Sequence, residues 1–248
     1  ITDCDNPVRI IEQNRDNNHT YNKVMTNFFV EYTPIEDLVL RGNVGIDYGQ
    51  FYFRNFTRAF SAGSLSSSDR LTVEDNWSQN IITSGTATYK LVLDDKHKFN
   101  FLAGVEQINF ERELFRGIGS GFASEDRSFA YLSQATSDVR VEGEGESWSL
   151  DSQFARMDYN YDNRYLASFT IRRDGSSRFG KNNEYGNFPA ASAGWVISNE
   201  DFFDIDFIQT LKLRGSWGET GNQEIPTNAT VTTYVPRYAT QSLFTNQQ

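Results

Sequence analysis

The sequence predicts an all-β fold, an antiparallel transmembrane β-barrel to which this chain contributes roughly eight strands. Three observations predict it. Apolar and polar residues alternate with a period of two along most of the chain, aromatic residues make up 15% of the composition, and short and long connections alternate between the strand segments. One face of a barrel strand contacts lipid and the other faces the lumen. Apolar and polar residues therefore alternate along such a chain, and the chain is not hydrophobic throughout.

The predicted strands follow the alternating segments, at 22–33, 38–49, 80–93, 99–110, 150–161, 164–174, 189–198 and 210–218. In the segment 164–174, for example, Tyr165, Phe169 and Ile171 occupy one phase, and Thr170 and Arg172 occupy the other. Most segments are close to the roughly 9–11 residues that cross a bilayer as a tilted strand. No apolar run approaches the about 20 residues of a membrane helix.

The connections fall into two classes. The short ones lie at 33–37, 94–98 and 161–164, and the link at 199–209 is expected to hold a helical turn. The long, polar ones lie at 51–76, 112–147, 175–188 and from 219 onward. Outer-membrane barrels alternate tight periplasmic turns with long external loops, whereas a β-sandwich has no reason to do so.

Tyrosines cluster beside the short connections on the apolar phase of the strands. Their amphipathic rings are typical of the aromatic girdle at a membrane interface. The tyrosines in question are Tyr32, Tyr89, Tyr159, Tyr161 and Tyr165.

Composition and motifs disfavour several other functions. The net charge of -10 argues against a nucleic-acid partner. Cys4 is the single cysteine, and His19 and His97 are isolated, so neither a disulfide framework nor a zinc site is predicted. No nucleophile or nucleotide fingerprint occurs, and we predict no catalytic residue, no metal and no cofactor.

Three blocks in the second half of the chain form a recognisable series. The first is Arg173-Asp174-Gly175-Ser176-Ser177-Arg178-Phe179-Gly180, followed by Phe188-Pro189. The second is Trp195 with Ile197-Ser198 and Glu200, and the third comprises Leu211-Lys212-Leu213-Arg214-Gly215-Ser216 and Gly218-Glu219-Thr220-Gly221-Asn222. The series resembles the SusC/RagA family of TonB-dependent outer-membrane transporters of Bacteroidetes. Weaker similarity extends upstream, including Asn6-Pro7 before a segment expected to be irregular.

The resemblance implies a barrel of about 22 strands around a plugged lumen. Residues 1–248 would be part of that barrel domain, without the plug, the TonB-contacting box and the closing strands. The resemblance further implies a complete protein that imports oligosaccharides or peptides under a SusD-like surface lipoprotein, driven by TonB. This chain would supply barrel wall and external loops in contact with outer-membrane lipid, and no enzyme activity is expected.

Two sets of residues are the candidate functional positions. The first set is diagnostic of the family and is interpreted as structural, with Gly175 permitting positive φ and its neighbours capping backbone donors. It comprises Arg173, Asp174, Gly175, Ser176, Ser177, Phe179, Gly180, Phe188, Pro189, Trp195, Leu213, Arg214, Gly215, Gly218, Gly221 and Asn222. The second set, aromatics in the long loops, could contact substrate or equally pack the loops together: Phe51, Tyr52, Phe53, Trp77, Phe115 and Phe122.

Charged residues also occur within the predicted strands. Arg156, Asp158, Arg172 and Asp174 are predicted to face inward and to pair on the lumen wall, where they would seat the plug. The acidic stretch 138–146 is interpreted as a solvated loop and not a calcium site. The alternative functions are a soluble all-β carbohydrate-binding or adhesion module, and an outer-membrane enzyme barrel, which the lack of a nucleophile–base arrangement disfavours.

Overall fold

The computed structural model describes residues 7–62, 65–179, 184–205 and 207–223. One short helix, α1 (Pro7–Asn14), precedes the strands. The strands are β1 (Asn18–Ile35), β2 (Leu38–Thr57), β3 (Phe60–Ala62), β4 (Leu65–Ser67), β5 (Arg70–Leu93), β6 (His97–Ser120), β7 (Ser137–Tyr161), β8 (Tyr165–Ser176), β9 (Tyr185–Val196) and β10 (Lys212–Gly218). No helix among these residues is both long enough and apolar enough to span a membrane.

Eight of the strands form one antiparallel sheet in the order β1-β2-β5-β6-β7-β8-β9-β10, so that neighbours in sequence are neighbours in the sheet. The strands β3 and β4 form a separate two-stranded hairpin. This meander confirms the predicted fold class and the predicted number of membrane strands. Each predicted segment overlaps one strand of the large sheet.

Most strands are longer than predicted, whereas β10, with 7 residues, is shorter than its predicted segment 210–218. β5 and β6 have 24 residues each and β7 has 25, where the sequence predicted lengths near those that cross a bilayer. Backbone N–H and C=O groups need hydrogen-bond partners outside the membrane as well. The hydrogen bonds between neighbouring strands therefore continue into segments that had been predicted as loops because their side chains are polar. The long connections shrink accordingly to 58–69, 121–136 and 177–184, and the acidic stretch 138–146 lies in β7.

The segment after Asn6-Pro7 is helical, and the expectation of an irregular segment was wrong. Helix α1 begins at Pro7, whose fixed φ suits the first position of a helix. It has only 8 residues. Such a segment is too short for helical periodicity to be read reliably from sequence.

The short turns depend on aspartate and asparagine. Asp94 and Asp95 have φ of 50° and 55°, Asp162 and Asn163 have φ of 50° and 55°, and Asp37 has φ of 68°. These residue types tolerate the left-handed region better than other non-glycine residues. The predicted alternation of short and long connections is confirmed, and the longer link opens with a 3₁₀ turn at Ile197–Asn199.

The register of β7–β10 separates apolar from polar side chains. Met157 pairs with Phe169, Phe169 with Ala191, and Ala191 with Trp217, giving one apolar row across the four strands. The next residue along each strand points to the opposite face, and that row is polar. It consists of Asp158, Ser168, Ser192 and Ser216.

The chain divides into two compact units, and the long strands contribute residues to both. Unit 1 comprises 1–25, 47–80 and 110–147, and unit 2 comprises 26–46, 81–109 and 148–248. Unit 1 holds a small core in which Phe56, Leu71 and Ala130 are buried. In unit 2 most large apolar side chains of the strands are exposed, as expected of a sheet face that meets lipid.

Candidate functional site

The polar face of unit 2 is organised around Arg172 on β8. Its Nη2 donates to Glu106 Oε1 on β6 at 2.8 Å and to Ser152 Oγ on β7 at 2.8 Å, while its Nε donates to Asp174 Oδ1 at 2.7 Å. The side chains of Arg172, Glu106 and Asp174 are 34%, 26% and 21% exposed. One guanidinium therefore ties three neighbouring strands together on the face opposite the apolar rows.

The four inward charges predicted from sequence do pair, but mainly along each strand. Arg156 pairs with Asp158 at 2.8 Å, and Arg172 pairs with Asp174 two residues further on. Residues i and i+2 share a face of a strand and lie within reach of an arginine side chain. The cross-strand partner of Arg172 is Glu106, which the sequence reasoning did not single out because an isolated glutamate in a strand carries no local signal.

Two phenylalanines of the same polar phase lie over glycines. A Cβ on Gly104 would sit 2.5 Å from Phe154 Cζ, and a Cβ on Gly186 would sit 2.6 Å from Phe188 Cζ. The Arg172 guanidinium carbon is 5.5 Å from the centroid of the Phe154 ring. Because these two glycines have no side chain, the phenylalanine rings can lie directly over the backbone of the sheet. The polar face therefore also carries aromatic surface.

Residues of the Arg173–Phe179 stretch end β8 and form hydrogen bonds around the start of the connection to β9. Ser149 and Ser177 bond twice, because Ser177 N donates to Ser149 O at 3.0 Å and Ser149 N donates to Ser177 Oγ at 2.9 Å. Ser176 Oγ accepts from Arg178 N at 3.2 Å, and Ser176 O accepts from Phe179 N at 3.2 Å. Gly180 lies outside the described residues.

Gly175 has a role different from the predicted one. Its φ is not positive, and among the described glycines only Gly121 has such a φ, of 76°. A Cβ on Gly175 would instead collide with the ring of Tyr185, which lies across it. The glycine is therefore explained by a close approach of side chain to backbone.

The other family-motif residues lie on β9, β10 and the segment after it, and they do not gather into one pocket. Pro189 O accepts from Glu219 N at 3.0 Å, and the Phe188 ring lies against Gly221. Leu213 and Gly215 share the apolar phase of β10, while Arg214 is on the polar phase opposite Gly194. Gly218 ends β10, and Asn222 lies in the segment beyond it.

A hydrogen-bonded cluster closes the end of unit 2 that carries the short turns. Glu200, with a side chain 10% exposed, accepts from Trp195 Nε1 at 2.8 Å and from Arg164 Nη1 at 3.2 Å. Hydrogen bonds from Tyr165 and Trp195 lower the pKa of Glu200 below its ordinary value of 4.5. Arg164 also reaches Asp201 at 3.1 Å, so the cluster joins the 162–164 turn to the 197–211 link.

Aromatic rings form a nearly continuous belt beside these turns. Tyr159 stacks on Phe99 with centroids 4.7 Å apart, and its Oη shares a hydrogen bond of 2.8 Å with His97 Nδ1. The belt continues across β7, β8 and β9 through Tyr161, Tyr165, Trp195 and Phe202, with neighbouring centroids 6.2–6.4 Å apart. This arrangement agrees with the girdle expected from the tyrosine positions.

In unit 1, the candidate substrate-contacting aromatics divide between faces. Phe51 and Phe53 stack at 6.4 Å, and His19 lies 4.6 Å from the Phe53 ring. Phe122 instead packs against buried Phe56 at 5.4 Å and belongs to the core of the unit. Since β2 extends to Thr57, Phe51 and Phe53 lie on a strand and not in a loop as predicted.

The remaining candidates also lie on strands. Trp77 stacks on Tyr48 at 6.5 Å and lines a shallow pocket with Phe115, Asp75 and Glu113. Tyr52 is half-buried and alternates with Phe51 and Phe53, so it points to the opposite face of β2. The six rings therefore do not form a single site: Phe51 and Phe53 stack on each other, and Trp77 and Phe115 line one pocket.

Phe51, Phe53 and His19 lie on the same face of the sheet as a network of ion pairs in unit 1. Arg116 donates to Glu74 Oε2 at 2.7 Å and to Glu142 Oε2 at 3.4 Å. Rings beside ordered hydrogen-bonding groups are the surface that a sugar or a peptide recognises.

The segment 121–136 packs over the opposite face, and glycines make this possible. A Cβ on Gly117 would collide with Leu132, and one on Gly119 would lie 2.5 Å from Ala135 Cβ. Asp69, which is 6% exposed, accepts from Gly121 N and Phe122 N, both at 2.7 Å. Sequence reasoning missed this packing, although the spacing of Gly117, Gly119 and Gly121 at and just after the end of β6 was a signal that could have indicated it.

The comparisons with known proteins agree with one another. The chain is 31% identical over 227 residues to the TonB-dependent receptor SusC of Bacteroides thetaiotaomicron, covering 89% of this chain and 21% of that protein. It is 29% identical over 241 residues to the TonB-dependent receptor P39 of Formosa agariphila, covering 94% of this chain and 22% of that protein. No family model matches.

The fold comparison agrees with the 31% identity to SusC, which decides the assignment. The chain superposes on the RagAB peptide transporter with a TM-score of 0.79 and 26% identity, over 87% of this chain and 24% of that one. It superposes on the open-open state of the RagAB peptide importer with a TM-score of 0.80 and 25% identity, over 88% and 24%. The chain belongs to the SusC/RagA family of TonB-dependent receptors.

Membership of the SusC/RagA family places the sheet in a barrel and the barrel in the outer membrane. The eight-stranded sheet is a fragment of a larger barrel. This SusC/RagA chain spans between a fifth and a quarter of the length of the relatives it matches.

Proposed function

We propose that the complete protein imports nutrients across the outer membrane, and that this chain forms part of the barrel wall. The observation that carries the proposal is the separation of faces across β7–β10, where the row containing Met157 and Trp217 is apolar and the adjacent row containing Asp158 and Ser216 is polar. A wall between lipid and a polar lumen requires this separation.

The polar face is suited to contact with a plug and with passing solute. Arg172 and Arg156 are held by carboxylates, so the wall is charged locally while its charges are largely balanced. Such a surface can form hydrogen bonds to a plug or a substrate without trapping either one through a large unpaired charge. The Phe154 and Phe188 rings add aromatic surface to the same face.

We further propose that the substrate is an oligosaccharide or a peptide, that a SusD-like lipoprotein covers the external opening, and that TonB supplies the energy. The relatives support this proposal through their names, one being a TonB-dependent receptor and another a peptide transporter. Phe51 and Phe53 with His19 are the aromatic group proposed to contact the substrate, because stacked rings bind sugar faces and peptide side chains alike.

The test uses the full-length parent protein in its native cell. Deletion of its gene should abolish growth on one class of polymer, and supplying the intact gene should restore growth. A TonB-deficient strain should show the same loss. Recovery of the protein in the soluble fraction, or growth on every oligosaccharide and peptide source after deletion, would refute the import proposal.

A matched pair of variants tests the proposed contact. Replacing Phe51 and Phe53 together with alanine should weaken substrate binding about tenfold, the loss expected when stacking rings are removed. Phe129→Ala is the control, because its ring is 66% exposed. Equal effects of the double variant and the control on binding would contradict the assigned role.

A further inference from the structure

A groove crosses the apolar phase of unit 2, running from β1 and β2 at one end to β8 and β9 at the other. Its floor is made of residues with little or no side chain, and its volume is about 960 Å³. A Cβ on Gly42 would meet nothing within 4 Å, and one on Gly85 would meet only Val105 at 3.8 Å. With strands about 4.8 Å apart, the groove is roughly 25–30 Å long, which is long enough to hold an extended acyl chain.

The groove ends at a polar row where the apolar face stops. Ala155, Ile171 and Pro189 form the last apolar row, and the next row toward the long loops consists of Gln153, Arg173 and Asn187. All three residues of that polar row are exposed and line the groove. In an outer-membrane barrel, the level at which an apolar face becomes polar is the level of the lipid headgroups.

Arg173 differs from the neighbouring arginines in having no carboxylate partner within the described part of the chain. Arg172 and Arg156 each have at least one such partner. The Arg173 guanidinium instead lies over the Tyr185 ring, 4.5 Å from its centroid. Stacking occupies the flat face of a guanidinium and leaves its N–H donors, which lie in the plane, free to bind an anion.

We propose that Gln153, Arg173 and Asn187 bind the phosphate of an outer-leaflet lipid whose acyl chain lies in the groove. A planar guanidinium suits phosphate, since it can donate two parallel hydrogen bonds to its oxygens. The two amides add donors on either side. Asp151 lies in the next row of this face, opposite Gly175, but it forms no ion pair with Arg173, so the guanidinium keeps its charge for an anion. The inference rests on the proposed function, in which the apolar face of the sheet meets membrane lipid. It adds one feature to that function, a bound lipid that anchors this part of the barrel wall.

The experiment uses the full-length protein in detergent and measures bound lipid by native mass spectrometry. The probes are phosphatidic acid and phosphatidylcholine with identical acyl chains, together with inorganic phosphate alone. Phosphatidic acid should bind more tightly than phosphatidylcholine. Arg173→Gln should weaken phosphatidic acid binding about tenfold, as expected for loss of a charge-assisted contact, and should weaken phosphatidylcholine binding less, because the choline cation offsets the charge of its phosphate.

Two further variants separate the parts of the site. Ala103→Phe, which fills the groove floor at an outward-facing position, should weaken both lipids. Arg140→Gln removes the same charge from an arginine outside unit 2 and should change neither. Equal binding of the two lipids, equal loss in Arg173→Gln and Arg140→Gln, or occupation of the site by inorganic phosphate in place of lipid would overturn the inference. Uptake in the Arg173→Gln variant is measured separately, so that failure of lipid binding is distinguished from failure of import.

Discussion

Replacing Arg172 with methionine should lower the free energy of unfolding of the full-length barrel by about 2–3 kcal/mol. The variant keeps an aliphatic stem against Phe154 while it removes the guanidinium. Three hydrogen bonds are lost, to Glu106 at 2.8 Å, to Asp174 at 2.7 Å and to Ser152 at 2.8 Å. Two carboxylates are left without their cation.

The magnitude follows from the exposure of the groups. A fully buried hydrogen bond to a charged group contributes about 1.5–3 kcal/mol, whereas an exposed ion pair contributes about 0–1 kcal/mol. The three charged side chains are between 21% and 34% exposed, so we assign about 1 kcal/mol to each carboxylate contact and less to the serine. The control Arg156→Met should cost less than about 1 kcal/mol, because that arginine is 50% exposed and pairs only with Asp158.

The assay is urea unfolding of the refolded protein in lipid vesicles, followed by tryptophan fluorescence. A double-mutant cycle with Glu106→Gln isolates the cross-strand contact and should give a coupling energy of about 1 kcal/mol. Strict additivity of Arg172→Met and Glu106→Gln would refute the claim that this pair connects β6 to β8. Equal losses for Arg172→Met and Arg156→Met would refute the use of burial to set the magnitude.

Three further predictions concern other parts of the chain. Gly104→Ala should destabilise the barrel by about 1–3 kcal/mol through its clash with Phe154, and Phe154→Leu in the same chain should recover much of that loss in the urea assay. Because the folded-state pKa of Glu200 is depressed, its stabilising contribution is present above its unfolded pKa and is lost as the pH falls through the folded value. Glu200→Gln should therefore be less stable than the wild type at pH 7, and the difference should disappear in strong acid. Asp69→Asn should speed hydrogen exchange of the Gly121 amide, and unchanged exchange would show that the carboxylate does not hold that segment.

The sequence predicted the sheet well because its alternation is physically required. Each residue of β8 faces either the apolar or the polar side of the sheet. The period-two spacing along the strand was therefore enough to predict that Phe169 and Arg172 lie on opposite faces. The short turns were equally predictable from sequence, because the aspartate and asparagine residues of Asp94-Asp95 and Asp162-Asn163 tolerate positive φ. The predicted membership of the SusC/RagA family is confirmed by the 31% identity to the TonB-dependent receptor SusC.

The ends of the strands and the location of the contacts could not be predicted in this way. Alternation shows which residues share a face, but it does not show which strand lies beside which partner, so Glu106 was missed as a partner of Arg172. Gly175 was interpreted through its backbone freedom, whereas the structure explains it by the ring of Tyr185, a residue on another strand. Both outcomes depend on which side chains meet across strands, and the alternation along a single strand does not specify this.

The extension of β2 and β5–β7 has a consequence for where recognition occurs. Had Phe51 and Phe53 been in a loop, their positions would depend on loop flexibility, and a substrate would have to order them at an entropic cost. On β2 their spacing is fixed by the strand, and the two rings stay stacked at 6.4 Å without a ligand. Rigid placement of binding groups lowers the cost of association, so the paired carboxylates and rings of unit 1 form a preorganised surface and not an adaptable one. If substrate binding ordered this segment substantially, hydrogen exchange at Phe51 and Phe53 would slow on ligand addition, and we expect it to remain nearly unchanged.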